Sequence, residues 1–425
     1  MADSQPRILV VYPYSSLDTN PTMTFLLESL AERKACIDVL AGQSESFATP
    51  ESFLAPGSFG SAVHLQFLPF DFFFRWWSPL KGLPLRIANR FLFSGERSSY
   101  PLRFDHAILK YIRARRYSVI VGVDPHGIVL ANALNGWARR PLVYITFEIL
   151  FGDDVDTSRD RELMRLERAA CRASVAVLIQ DDERAEVFCR ETSFPRERVF
   201  TAPVAPPPQQ IVKSDFLRRT LGILPGRRIV LYCGNLQSWA SRDELAEMVS
   251  YWPDNYCLVI HNRSKVQRTL QRFLDKLTET GKILVSAEPV GRKEMRDLVS
   301  SADFGLAPYK PAPGDLWTGN NLYHLGFASG KVSYYALCGL PILARPLPVF
   351  EREFSNYDCG KIYRRIDETG LLLEEMSRNY EHHSRESVRF YNERLNPVAG
   401  MEKFCDRLME LAREARNVQN RKRKR

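Results

Sequence analysis

Short unbroken apolar runs recur along this chain, and nearly every one is followed by a stretch with helical spacing. "RILVVY" (7–12) precedes "PTMTFLLESLAERK", "SVIVGVD" (118–124) precedes a helix expected from Gly127, and "SVAVLIQ" (174–180) precedes "ERAEVFCRET". A strand that is apolar at every position has both faces covered, the condition of a parallel sheet lying between helices. Parallel neighbours need a crossover connection, so the alternation dictates a doubly wound α/β arrangement. "CIDVLAG" (36–42), "VHLQFLP" (63–69), "PLVYITF" (141–147) and "RVFTAPV" (198–204) complete this first series, with a further helix expected over roughly 100–116.

The proline-rich "APVAPPPQQIVKSD" (202–215) then reads as a linker. Behind it the pattern restarts with "RRIVLYCGN", "YCLVIHN", "KILVSAEPV", "DFGLAPY" and "PILARP" as strands, interleaved with helices that include "KVQRTLQRFLDKLTET" and "RKEMRDLVSSA". The expected architecture is two Rossmann-like, doubly wound parallel-sheet domains facing across a cleft. The first covers 1–205 and carries an insertion at 67–93, and the second covers 206–395. A helix over 396–416 crosses back toward the first domain, and 417–425 form a basic, disordered tail. A chain of 425 residues is ample for two such cores.

Bulk properties remove several classes of function. Eight scattered cysteines form no CxxC or zinc spacing, as expected of reduced thiols in a cytoplasmic protein. The opening "MADSQPRILVVYPYSS" lacks the charged and apolar regions of a signal peptide, and no run of about 18 apolar residues could span a membrane. The net charge of +9 owes five charges to the closing "RKRKR", and no nucleic-acid motif accompanies it, so no nucleic-acid partner is expected. There is no GxGxxG after the first strand, no GxxxxGK[ST], no GxSxG and no HExxH, which speaks against a dinucleotide cofactor, a P-loop, a serine nucleophile and a zinc site.

In open parallel sheets ligands bind beyond the carboxyl ends of the strands. The polar groups expected there are Asp124, Pro125 and His126, then Glu148, then Gly234 and Asn235, and finally His261 with Asn262. His126, as a neutral imidazole, suits proton transfer from a hydroxyl acceptor, or else it caps the following helix. Glu148 sits among apolar residues that would raise its pKa toward that of a general base, or else it pairs with Arg139 or Arg140. The acids of "FGDDVD" (151–156) read as solvated loop residues rather than metal ligands. In "GFASGKVSYYALCGLPILA" (326–344), Ser329 is the N-cap of a helix that Gly339 ends and Pro341 blocks. Lys331 then occupies the first turn, where a cation opposes the helix dipole at a cost of about 0.3–1 kcal/mol. An anion seated between Lys331 and the helix end would remove the conflict.

The stretch from Lys282 to Ala344, with "SADFGLAPY", the Ser-x-Lys helix start and "CGLPILA" in order, resembles the donor-binding domain of GT-B-fold nucleotide-sugar glycosyltransferases. The likeness is to bacterial polysaccharide and O-antigen transferases of the family 4 type. It implies that Ser329, Gly330 and Lys331 hold the donor diphosphate, with Gly234, Asn235, His261 and Asn321 also on the donor side. The first domain, with His126 and Glu148 as candidate catalytic residues, would present a glycan or lipid-linked acceptor. The donor is a substrate, and neither cofactor nor metal is implied. Many retaining members of that family carry two glutamates eight residues apart just before the CGLP-like segment, and here those positions are Gly326 and Tyr334, with Tyr334 able to offer one hydroxyl to the donor ribose. A nucleotide-sugar epimerase of the same fold and a catalytically inactive scaffold are the alternatives. The insertion at 67–93 holds nine aromatics and four basic residues against one acid, which suits peripheral contact with the inner face of the cell membrane, or a lid buried on the first domain.

Overall fold

The computed structural model describes residues 5–14, 17–43, 60–69, 116–234, 236–262, 278, 281–286 and 290–423. Thirteen strands among them form two wholly parallel sheets. The first contains β1 (Arg7–Tyr12), β2 (Cys36–Gln43), β3 (Val63–Pro69), β4 (Val119–Val123), β5 (Leu142–Ile145), β6 (Ala176–Ile179) and β7 (Val199–Thr201) in the order β3-β2-β1-β4-β5-β6-β7. The second contains β8 (Arg228–Cys233), β9 (Tyr256–His261), β10 (Ile283–Ser286), β11 (Phe304–Ala307), β12 (Ile342–Ala344) and β13 (Gly360–Ile362) in the order β10-β9-β8-β11-β12-β13. Both orders reverse direction once, between β1 and β4 and between β8 and β11. Those two gaps are where chain connections diverge and leave a crevice.

Helices cover the faces of the first sheet: α1 (Pro21–Glu32), α2 (Asp124–Ala138), α3 (Ser158–Ala173) and α4 (Asp182–Thr192). The second carries α5 (Phe216–Leu221), α6 (Leu245–Ser250), α7 (Arg292–Ser300), α8 (Asn320–Tyr323), α9 (Gly330–Leu337), α10 (Pro348–Tyr357), α11 (Thr369–Arg378) and α12 (Tyr380–Phe390). Residues 202–215 join the two sheets without regular structure. The last helix, α13 (Val398–Arg423), returns to the first sheet and buries Met401, Phe404, Cys405, Leu408 and Leu411 in its core beside Val119 and Ala202. That spacing of three and four residues is one face of a helix.

Two expectations need correction. The helix after β4 starts at Asp124 instead of Gly127, because Asp124 takes a left-handed φ of 55° that turns the chain directly into α2. Residues 417–423 continue α13 where a disordered tail was expected. They contain neither glycine nor proline, and cations at a helix C-terminus suit its dipole. The helix expected at about 100–116, most of "KVQRTLQRFLDKLTET" and nearly all of the 67–93 insertion lie outside the described residues. No helix of the described residues is long and apolar enough to cross a membrane.

Candidate active site between two sheets

The crevice of the second sheet gathers most of the residues expected on the donor side. β8 ends at Cys233 and Gly234 follows with φ 140°, a conformation that side chains rarely adopt. A Cβ at Gly234 would lie 3.1 Å from Nζ of Lys331, so the glycine makes room for the ammonium. Ser329 caps α9 by accepting the Val332 N–H, and its hydroxyl lies 2.5 Å from the Tyr309 hydroxyl just beyond β11. Tyr335 binds α9 to β8: its hydroxyl accepts the Cys233 N–H at 3.0 Å and donates to the Leu231 carbonyl at 2.9 Å. Gly330 faces Val204 of the linker and Pro21 of α1, which puts the start of α9 at the meeting of the two domains.

Lys331 is the unusual group. Its Nζ is shielded from solvent and has no hydrogen-bond partner among the described residues. It lies over three rings, with centroids of Tyr232 at 4.3 Å, Tyr309 at 4.9 Å and Trp239 at 5.4 Å. Ring faces attract a cation but accept no N–H bond of ordinary strength. Burial lowers the ammonium pKa to about 8, so near neutral pH the group is still mostly charged. A buried cation at the positive end of a helix is an electrostatic conflict that an anion would relieve.

The other candidates on this side are placed as follows. His261 is buried at the end of β9, with Nδ1 3.0 Å from the Ser286 hydroxyl, and its carbonyl accepts the Gly234 N–H at 3.0 Å. Tyr334 packs on the core of the second domain. Asn235 lies outside the described residues. Asn321 stands apart from the Lys331 crevice, at the edge of the first sheet. Its Oδ1 accepts the Ile149 N–H at 2.9 Å and an Arg184 N–H at 3.1 Å, while its amide donates to the Glu148 carboxylate.

The crevice of the first sheet is built around Asp124, which the sequence shows only as one polar residue among several. Its Oδ1 accepts the Phe147 N–H at 2.6 Å. Burial and, for Glu148, the neighbouring charge of Asp124 raise the pKa of both carboxyls. The groups that act on Glu148 do not include Arg139 or Arg140, its expected alternative partners, whose peptide groups close α2 against Asn135. Glu148 instead meets Asn321 and the field of Arg184. His126 is 4 % exposed, stacked on Trp317 of the second domain with centroids 5.6 Å apart. Burial, reinforced by Arg159, lowers its pKa to about 4, so the ring is neutral at physiological pH.

Sequence reasoning missed the side chains that join the domains. Arg184, 1 % exposed, donates to the carbonyls of His324 at 2.5 Å and Phe147 at 2.8 Å. Asp181 caps α4 and accepts the Phe327 N–H at 2.7 Å. Asp154, expected to be solvated, is buried and accepts N–H groups of Gly314 at 3.2 Å and Asn320 at 2.6 Å. Gly326, the first of the two positions that the resemblance compares with a glutamate, has φ 51°, and a Cβ there would lie 2.2 Å from Oδ2 of Asp181. No side chain fits at that position while Asp181 holds it.

No family model and no curated protein matches this chain by sequence. Solved structures match it over nearly its whole length. Anabaena HepE in complex with UDP-glucose is 12 % identical, covers 95 % of this chain and 99 % of its own, and superposes with a TM-score of 0.67. Sucrose-phosphate synthase from Thermosynechococcus elongatus is 12 % identical over 98 % of this chain and 100 % of its own, with a TM-score of 0.65. WaaG, a glycosyltransferase involved in lipopolysaccharide biosynthesis, is 14 % identical over 94 % and 98 %, with a TM-score of 0.61. Together with the two strand orders, these matches show that the chain has the two-domain GT-B fold.

Proposed function

We propose that this protein is a glycosyltransferase that moves a sugar from a nucleotide-diphosphate donor to a glycan or lipid-linked acceptor in cell-surface polysaccharide synthesis. The observation that carries the reading is the buried ammonium of Lys331 at the start of α9, for which no described residue is an acceptor. A diphosphate placed there would receive the ammonium, the free N–H groups of the first turn and the helix dipole together. In the transfer, the bond from the anomeric carbon to the diphosphate oxygen breaks, and Lys331 with the helix end stabilises the departing charge. The acceptor oxygen forms the new glycosidic bond, and its proton passes to a base on the first domain. His126 is neutral and lies beside the interdomain contact, as that role requires. Neighbours of the same fold whose structures hold UDP or UDP-glucose support a donor of that chemical class. The reading assigns the transfer no cofactor and no metal. It places the protein in the cytoplasm, meeting the inner face of the membrane through 67–93.

An epimerase would need two carboxylates free to move protons, and Asp124 with Glu148 is the obvious pair. Both are already engaged, Asp124 by the Phe147 N–H and Glu148 by the Asn321 amide. They act as parts of the frame, which favours the transferase. Calorimetric titration of UDP and of uridine tests the anion site directly. Release of UDP from UDP-glucose in the absence of acceptor distinguishes an active transferase from an inactive scaffold.

A further inference from the structure

We propose that Asp358, His382 and His383 form a binding site for a divalent transition-metal ion on the second domain, away from the donor crevice. One donor atom from each of these residues lies within 4.8 Å of the others. Asp358 ends α10 in a left-handed conformation, φ 44°, which turns its carboxylate and carbonyl toward the first turn of α12. Nε2 of His382 lies 3.0 Å from Oδ2 of Asp358, and Nδ1 of His383 lies 3.6 Å from the same oxygen. Nδ1 of His383 is also 2.6 Å from the Asp358 carbonyl oxygen, to which it now donates. Donors held tetrahedrally at the usual zinc distances stand about 3.3–3.6 Å from one another. The constellation is therefore already spaced close to the way an ion would hold it.

The donor set narrows the ion. Two imidazoles with a carboxylate and a carbonyl oxygen suit zinc or nickel, whereas calcium and magnesium take oxygen ligands. His383 is buried and fixed, while His382 and Asp358 are half-exposed, so an ion can enter from solvent and keep a water ligand. The nearest competing cation is Lys361, with Nζ 3.5 Å from Asp358. It also lies 3.1 Å from Glu375 and has that carboxylate to remain with. Binding at Nδ1 of His383 needs the other tautomer, so the ring proton passes from Nδ1 to Nε2 and the ring remains a neutral ligand.

The site cannot take part in the transfer. Asp358 precedes β13 at the amino edge of the second sheet, and Lys331 lies beyond its carboxyl edge. Its effect falls on α12, whose Ser387 hydroxyl lies within hydrogen-bond reach of the carbonyls of Leu340, at 3.1 Å, and Cys359, at 3.2 Å. That helix braces the end of α9, and an ion at its first turn would tie the brace to the α10–β13 corner.

The full chain, stripped with a chelator and dialysed, is titrated with zinc chloride by calorimetry and then melted with and without zinc. The expected result is one saturable site, a higher melting temperature with zinc, and UDP binding that does not change. Changes beyond the ligand shell already cost about 10–100-fold in metal affinity. Removing a ligand by His382→Ala should therefore weaken zinc binding at least tenfold and abolish the thermal gain. The ring of His382 is exposed, so the variant should melt like wild type without metal. Asp358→Asn should weaken zinc binding in the same direction. No saturable binding, or undiminished binding by His382→Ala, which would place the ion on cysteines, overturns the proposal. Either failure leaves the UDP result, and with it the transferase reading, untouched.

Discussion

Replacing Lys331 by methionine keeps most of the stem and removes the charge, and it should make the ligand-free protein more stable while crippling its anion site. The magnitude follows from the crevice. Burial lowers the ammonium pKa from 10.5 to about 8, and each pH unit of such a difference is worth about 1.4 kcal/mol. Burial thus makes the protonated Lys331 cost about 3 kcal/mol in the fold near neutral pH, before the attraction of the three rings is set against it. The sign is fixed by proton binding. Between pH 8 and 10.5 the unfolded chain holds this proton and the folded chain does not, so wild-type stability rises with pH across that window. Below pH 8 both states are protonated and the full cost is present. Urea unfolding at pH 7 should show Lys331→Met more stable by up to about 3 kcal/mol, with the gain fading toward pH 10.5. Over the same change, UDP affinity should fall roughly ten- to a hundredfold, since a hydrogen bond to a charged group is worth about 1.5–3 kcal/mol. Uridine affinity should hold. A methionine variant less stable at pH 7, or equal losses for UDP and uridine, would refute the reasoning.

His126→Ala should lower turnover by about 10²–10⁴ and leave UDP affinity unchanged in the same titration. Because its pKa is held near 4 in the fold against 6.5 unfolded, wild type should lose stability as pH falls from 6.5 toward 4. Urea midpoints of His126→Ala should show a shallower slope across that window. Gly234→Ala puts a Cβ against Lys331 at φ 140°, so unfolding should show a loss on the order of 1–3 kcal/mol together with weaker UDP binding. Gly326→Glu should gain no activity and should destabilise, because Asp181 fills the space its Cβ would need. Phe73→Ser, Trp76→Ser and Trp77→Ser together should abolish co-sedimentation with anionic liposomes if 67–93 contacts the membrane, and should unfold the protein if those rings form a buried lid.

The fold was legible because its strands are runs that only burial on both faces explains. "RILVVY" and "YCLVIH" are buried at nearly every position. The edge strand β13, "GKI", was not legible, since two of its three residues are only half-buried and no apolar run marks it. Lys331 could be singled out as a candidate anion ligand because a cation in a first turn is electrostatically misplaced, and that argument needs only sequence. The cage around it needs topology: Tyr232, Trp239 and Tyr309 come from β8, from the loop after it and from the end of β11, and only the strand order brings them together. Arg184, Asp181 and Asp154 could not be read at all. Their interdomain partners are mostly peptide groups between Gly314 and Phe327, and a peptide group leaves no mark in a sequence.

Those same bonds restrict how the cleft can close. A hinge confined to 202–215 would swing the whole second domain as one body, yet residues 314–327 of that domain are tied to the first by Asp154, Asp181 and Arg184 and by the Asn321–Glu148 contact. The linker joins the same group, since the Val204 N–H donates to the Phe327 carbonyl at 2.9 Å. Breaking the set would exchange these buried bonds to charged groups for bonds to water, a loss of about 1.5–3 kcal/mol each. A motion that keeps the set must carry 314–327 with the first domain and bend the chain on either side of it. One of those bends falls between Phe327 and Ser329, the N-cap of α9. A closing motion that keeps these bonds would therefore bend the chain beside the start of α9, next to Lys331, and would reshape the place proposed for the donor diphosphate.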